Sequence, residues 1–464
     1  MEKINLQGHL PAFVEKMQAA GLAPSVIETF SHYYRQVLNG ETGLLAERDI
    51  QPLPPEEIEA AEKLVRYKDV GLESLNKSAL VILNGGLGTS MGLTRAKSLL
   101  KVKDGRSFLE IKLRQAEISG ACLVLMNSFN THADTRRAIG NISSSIEPLH
   151  FIQNKFPKIL RDDFSPATWP QNPTLEWNPP GHGDIYIALY ASGLLEQLLD
   201  KGIEYAFISN ADNLGATLNA TLLGYFSSKE FPFMMEIARR TPADRKGGHI
   251  ARHKNGNLVL REIAQCPENE ITAFQDIRRY GYFNTNNIWV NLSRLYTLIQ
   301  EHGAMYLPIL LNPKTVDPRN SNSPEVYQIE TAMGSAISLF DNAMAVRISD
   351  ERFHPVKKCN DLMAIQSDCY VLTPAFHILK NPARTLDRIQ IHLDPIYFGK
   401  IDLYNDRFKH GIPSLVTCES LEIKGDFFFE ENVQIRGRVV MQNRTGEPVV
   451  IKQGSVIEED VLFS

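Results

Sequence analysis

The chain has 464 residues, more than one ordinary hydrophobic core accommodates, so two or three domains are expected. Its 43% hydrophobic and 22% charged residues with a formal net charge of −5 fit a globular protein, and they exclude the basic footprint of a nucleic-acid binder and a polybasic membrane patch. Five cysteines without a C-x-x-C pair read as free thiols of a reducing compartment, the cytoplasm, and neither the start Met1 to Leu10 nor any later run is apolar enough for a signal core or a membrane span.

From about Leu10 to Gly40 apolar residues recur at helical spacing: Phe13 and Met17 in one segment, then Val26, Phe30, Tyr33 and Val37 after the punctuation of Gly21 to Pro24. The joint Gln51-Pro52-Leu53-Pro54-Pro55 leads into Glu56-Glu57, an order that predicts a helix with proline at its first position. Residues 1–76 thus read as a helical N-terminal region. Ala79 to Leu83 is a short apolar run of β-formers, expected as a buried parallel strand. It opens into Gly85, Gly86, Gly88 and Gly92, whose backbone N–H groups can approach phosphate closely, followed by the point charge of Lys97. The spacing matches neither the P-loop nor the dinucleotide G-x-G-x-x-G.

Ser107-Phe108-Leu109-Glu110 is a capping-box signal for a helix to about Ser119, and Ala121 to Met126 is the next apolar strand. Strand, helix, strand predicts a doubly wound α/β sheet whose ligands lie at the carboxyl ends of the strands. The Gln153 amide offers the donor and acceptor that complement the adjacent N3–H and carbonyl of uracil. In Pro179-Pro180-Gly181-His182-Gly183-Asp184 the glycines open the backbone, His182 carries a donor, and Asp184 is placed to cap a helix through Leu189, Leu194 and Leu198. Tyr205 to Asn210 is a strand that delivers Asp212 to the sheet edge, where one carboxylate suits Mg²⁺, an ion that keeps most of its waters and takes substrate phosphates.

Leu83-Asn84-Gly85-Gly86-Leu87-Gly88-Thr89-Ser90-Met91-Gly92 with Lys97-Ser98-Leu99, then Pro179 to Tyr186, then Asn210-Ala211-Asp212-Asn213, resemble the UTP-glucose-1-phosphate uridylyltransferase (UDP-glucose pyrophosphorylase) family. Leu125 to His132, Phe283-Asn284-Thr285-Asn286-Asn287, Asn312-Pro313-Lys314, Gln328 to Ala332 and Val356-Lys357 extend the resemblance from about residue 78 to the carboxyl terminus. One departure is Arg95-Ala96, where the family commonly has Gly-Pro before its lysine.

The resemblance implies a doubly wound mixed α/β sheet of the nucleotide-diphospho-sugar transferase type, and Mg²⁺-dependent, reversible transfer of uridylyl from UTP to glucose 1-phosphate. It implies Lys97, Lys357 and Asp212 as the catalytic set and Asp212 as the metal ligand. Leu83, Asn84, Gly85, Gly86, Gly88, Thr89, Met126, Gln153 and Gly181 join those three around UTP. Gly86, His182, Asn210, Ala211, Asp212, Glu262, Asn284 and Asn286 face the sugar phosphate. Rival expectations are a uridylyltransferase for galactose 1-phosphate or N-acetylglucosamine 1-phosphate, and a non-catalytic sensor of UDP-sugars.

Two further features follow from patterning. Gly248 to Arg252 and Leu258 to Ile263 flank Asn255-Gly256, a hairpin signal, with Asn284 to Asn287 expected as a polar loop nearby. After about Thr385 the chain turns to short alternating segments with glycine and asparagine turns, which predict a small C-terminal β-helix, a candidate contact for homo-oligomers. The expected organisation is therefore 1–76, a catalytic domain 77–384 and a β-helix 385–464.

Overall fold

A computed structural model describes residues 8–464; the first seven, included above in the search for a signal core, lie outside the described residues. A large mixed sheet runs in the order Glu59–Ala60, Met344–Arg347, Phe233–Arg239, Tyr282–Asn291, Tyr205–Asn210, Ser78–Asn84, Cys122–Asn127, Leu149–Ile152. The last four pair in parallel, as do the first three, and Tyr282–Asn291 runs antiparallel between the two groups. The expected mixed α/β sheet is present, its one antiparallel member along the main order being Tyr282–Asn291.

Period-two alternation explains the two layers around it. Along Ser78–Asn84, Ala79 and Val81 enter one core and Leu80 and Ile82 the other. Along Cys122–Asn127, Val124 and Met126 join the first core and Leu123 and Leu125 the second. Phe108–Ser119 starts with Ser107 accepting from Glu110 N at 3.1 Å, but only half of the expected capping box forms, because the Glu110 carboxylate turns to Arg106.

The N-terminal region has helices Leu10–Ala19 and Pro24–Leu38, whose Phe13, Phe30 and Tyr34 pack on Phe156 and the first core. The helix expected at Pro55-Glu56-Glu57 is instead one 3₁₀ turn. The chain must extend at once, since Glu59–Ala60 pair with Val346 and Arg347 at the sheet edge.

Toward the carboxyl terminus Gln390–Leu393, Cys418–Lys424, Gly437–Asn443 and Val461–Phe463 form a parallel ladder in that order. Phe427–Phe429 pairs in parallel with Val449–Ile451, and Gln434–Ile435 with Val456–Ile457. Their inward Leu421, Ile423, Phe427, Phe429, Ile435 and Met441 share a core with Phe108 and Ile111, so these ladders are packed onto the helix that follows the glycine loop. No helix among the described residues is long and apolar enough to cross a membrane.

Candidate active site at the carboxyl edge of the sheet

Leu83, Met126 and Phe151 lie side by side in register, as do Asn84 and Asn127, so the strands end together and their loops converge. The Asn84 side chain is buried, and its Nδ2 donates to Asn127 Oδ1 at 2.7 Å and Thr135 Oγ1 at 2.8 Å, which ties the strand ends together. Met126 is likewise buried, in the first core. Gly88 and Gly92 take left-handed backbone (φ +69° and +77°), a requirement of the 3₁₀ turn Thr89–Met91 between them, with Thr89 exposed. Lys97 N donates to Gly86 O at 3.0 Å and closes the loop, while Gly86 itself is open on its Cβ side. Arg95 is exposed.

Gln153 bridges this loop to the next. Its backbone N donates to Asn127 O at 2.8 Å, its Oε1 stands 3.2 Å from where a Cβ on Gly85 would lie, and its Nε2 donates to Gly181 O at 2.8 Å. Gly181 has φ +77°, and a Cβ there would come within 2.4 Å of Thr331 O, so only glycine fits. His182 Nδ1 accepts from Met333 N at 2.9 Å, which leaves Nε2 as the protonated nitrogen, and burial lowers its pKa to about 4. Asp184 does not cap the following helix as expected: its carboxylate accepts from Asn154 N at 2.7 Å and Nδ2 at 2.9 Å. Burial pushes its pKa up to about 6 against those two bonds. The single helix expected beyond it is two, Ile185–Ala191 and Leu194–Asp200, broken at Gly193 with φ +74°.

Across the loop, Asp212 Oδ2 meets Lys97 Nζ at 2.5 Å, both side chains about four-fifths buried at 20% and 16% exposure. Ala211 N donates to Leu83 O at 3.3 Å, with Asn210 half-buried beside Leu83 in the ladder. The backbone of Asp212 is then claimed from the other side. Val356 N donates to Asp212 O at 3.2 Å and Asn213 bridges to Pro355, which sets the Lys357 segment against Asp212. Lys357 is exposed, its N–H held by Asp361 Oδ2 at 2.8 Å.

The hairpin expected around Asn255-Gly256 forms between His249–His253 and Leu258–Arg261. Glu262 follows it, lying against Gly248, where a Cβ would be 2.5 Å from its carboxylate. Burial raises the Glu262 pKa and the nearby charge of Lys357 opposes that rise. Asn284 to Asn287 are not a loop but part of strand Tyr282–Asn291, interrupted by a register shift opposite Glu236 and Ile237. The shift lets Asn286 take φ +59° while Asn284 Nδ2 donates to Asn286 Oδ1 at 2.7 Å and Asn284 Oδ1 accepts from Asn286 N at 2.9 Å.

Sequence reasoning missed Glu236, Arg352 and Lys112. The signal for Glu236 was a lone acid inside the apolar run Phe233-Met234-Met235-Glu236-Ile237, which needs a buried partner that spacing does not name. Lys112 is fully buried under the loop after Asp212, donating to Ala216 O at 2.6 Å, and burial lowers its pKa to about 7. Among the described residues no three His, Cys, Asp or Glu side chains cluster as a metal cage. Asp212 is a single carboxylate whose Oδ1 makes no hydrogen bond within the described protein, a donor set suited to a cation bound mainly through water and phosphate.

A mixed α/β sheet whose carboxyl edge gathers a glycine loop, two lysines and one carboxylate defines a phosphate-handling protein of the nucleotide-binding type. The family model described as UTP-glucose-1-phosphate uridylyltransferase matches residues 27–436. The protein of that name from Musa acuminata is 39% identical over 418 residues, covering 88% of this chain and 85% of the relative. The Saccharomyces cerevisiae protein of that name is 36% identical, covering 94% of this chain and 88% of the relative. Among solved structures, a mutant UDP-glucose pyrophosphorylase from Leishmania major in complex with UDP-glucose superimposes with a TM-score of 0.90 at 39% identity, covering 98% of this chain and 99% of the other. The chain belongs to the UTP-glucose-1-phosphate uridylyltransferase family.

Proposed function

We propose that this protein transfers the uridylyl group of UTP to glucose 1-phosphate, reversibly, giving UDP-glucose and pyrophosphate with Mg²⁺ as cofactor. The observation that carries the reading is the convergence of Lys97 and the Lys357 segment on Asp212: Lys97 through an ion pair with its carboxylate, and Val356 through a bond to its backbone O. Family membership and the relatives' printed names support the same reaction.

Phosphoryl-type transfer asks little covalent work of protein groups, so positioning and charge neutralisation carry the rate. The sugar-phosphate oxygen attacks the α-phosphorus of UTP as pyrophosphate departs. The backbone from Leu83 to Thr89 cradles the nucleotide. Met126, Gln153 and Gly181 frame uracil: with one Gln153 N–H given to Gly181, Oε1 and the second N–H remain for the base. His182, its donor fixed at Nε2 by Met333, faces the sugar phosphate with Gly86, Asn210, Ala211, Glu262, Asn284 and Asn286. Lys97 keeps one N–H on Asp212 and has two for UTP phosphates; Lys357 neutralises charge at the reacting centre. Asp212 would hold Mg²⁺ through its free Oδ1, and the bound ion would neutralise phosphate charge.

We also infer the three-part organisation 1–76, 77–384 and 385–464, with the parallel ladders as coils of a small β-helix; the parallel registers support it. Arg384 ties the last boundary, donating to Leu415 O at 3.1 Å and Cys418 O at 2.8 Å. Val450, Val456 and Leu462 are exposed on the coils and support a homo-oligomer contact there, which a monomer mass in light scattering would remove. The five free thiols support a cytoplasmic setting.

The deciding experiment is a panel of glucose, galactose and N-acetylglucosamine 1-phosphates with UTP and Mg²⁺, read by pyrophosphate release. The expected result is fastest release with glucose 1-phosphate. Release with none of them would overturn the enzymatic reading.

A further inference from the structure

We propose that a buried polar network centred on the Glu236–Arg352 ion pair fixes the relative placement of three site segments, which makes Glu236, Arg352 and Asn213 positioning residues for uridylyl transfer. The inference rests on the functional reading above.

Glu236 sits mid-strand between Met235 and Ile237 with no exposed surface. A carboxylate there is costly unless its lone pairs are filled. They are: Arg352 grips it as a fork, NH2 to Oε1 at 2.6 Å and Nε to Oε2 at 3.0 Å, while Trp289 Nε1 donates to Oε1 at 2.9 Å and Asn287 Nδ2 to Oε2 at 3.0 Å. An apolar residue would fill the same space without this desolvation cost, so core stability alone does not call for the pair.

The network's outer contacts reach the site. Asn213, next to Asp212, donates to Arg352 O at 3.2 Å and Asn287 Oδ1 at 3.3 Å, and its Oδ1 accepts from His354 N at 2.9 Å and Gly215 N at 3.2 Å. Arg352 NH2 also donates to Thr217 O at 3.0 Å, and a Cβ on Gly215 would lie 2.5 Å from Glu351 O, so the loop after Asp212 is seated on the segment that leads to Lys357. The third segment is held by the same residue. Glu236 pairs with Asn287 and Ile237 with Asn284, so the bulge that turns Asn286 opens at Glu236, whose carbonyl accepts from Thr285 Oγ1 at 2.7 Å. One ion pair thereby links the Asp212 turn, the Lys357 segment and the Asn284–Asn286 bulge. Gly85, Gln153 and Gly181 share no hydrogen bond with it.

The test is steady-state kinetics of the full chain at saturating Mg²⁺ with Glu236→Gln, which keeps the shape and removes the charge, and Arg352→Lys, which keeps the charge and removes the fork. A misplacement of about 1 Å at the reacting centre costs roughly a hundredfold, so kcat of Glu236→Gln should fall roughly ten- to hundredfold and KM for glucose 1-phosphate should rise. KM for UTP should rise less than KM for glucose 1-phosphate, because the contacts at Gly85, Gln153 and Gly181 are independent of the network, and Arg352→Lys should recover part of the loss seen in Arg352→Met. If Glu236→Gln does not fold, Asn213→Ala leaves the ion pair in place and carries the same expectation. Wild-type kcat in folded variants, or an equal rise in both KM values, would overturn the network's role. A wild-type chain inactive with UTP would overturn the functional reading instead.

Discussion

On one flank of the site, Gly85, Gln153, Gly181 and His182 meet through neutral groups: an amide bridging two glycine turns and an imidazole whose lone pair is spent on a backbone N–H. On the other flank stand Lys97, Asp212 and Lys357, charges held by one ion pair and by backbone bonds, with the saturated Glu236–Arg352 pair behind them. Neutral hydrogen bonds in fixed geometry discriminate between similar ligands, because a mismatched ligand leaves buried groups unpaired. Charges act on whatever charge develops in a reaction. On the proposed reading the site would divide its labour, with selectivity for the base and the sugar phosphate on the first flank and rate on the second.

The largest expected effect breaks the charged flank. Asp212→Ala should lower kcat by orders of magnitude while the fold persists, because a partly exposed charge is lost and Lys97 is set free. Unchanged turnover at saturating Mg²⁺ would take Asp212 out of the mechanism. The neutral flank should respond differently. Gln153→Ala should leave turnover with UTP less affected and reduce the preference for UTP over CTP by about ten- to a hundredfold, in line with an unpaired buried amide costing ~1–3 kcal/mol. A variant that keeps wild-type preference would mean that the base is read elsewhere.

The smallest effect sharpens the comparison through pH. His182 is held down to about 4 from 6.5 by burial, so between those values the unfolded chain takes up a proton that the folded imidazole refuses. Stability from this group is present above pH 6.5 and lost as pH falls toward 4. Asp184, raised to about 6, acts with the opposite sign, its contribution lost as pH rises from about 4 to 6. Comparing thermal midpoints of wild type and His182→Gln cancels Asp184, and the variant should lose less stability between pH 7 and pH 5. Identical slopes would show that His182 is not neutral in the fold.

Local chemistry in the sequence was enough for the strands at Ala79–Leu83 and Cys122–Met126, for the glycine turn that follows, and for the hairpin around Asn255-Gly256, because apolar runs, β-formers and obligatory left-handed turns act over a few residues. The motifs also located the loops that converge at the sheet edge, and a single acid after a strand marked Asp212. Tertiary structure alone decided what the remaining polar groups do. Glu236 and Arg352 are 116 positions apart, Met333 fixes the tautomer of His182 from 151 positions away, and Asn84 spends its amide on Asn127 and Thr135. Asp184 gave up its cap for Asn154, and the asparagine run became a bulged strand because Phe233–Arg239 offered it a ladder at Glu236 and Ile237. A buried polar group takes whichever partner the packed chain brings within hydrogen-bond reach, and that partner is set by long-range pairing, not by sequence spacing.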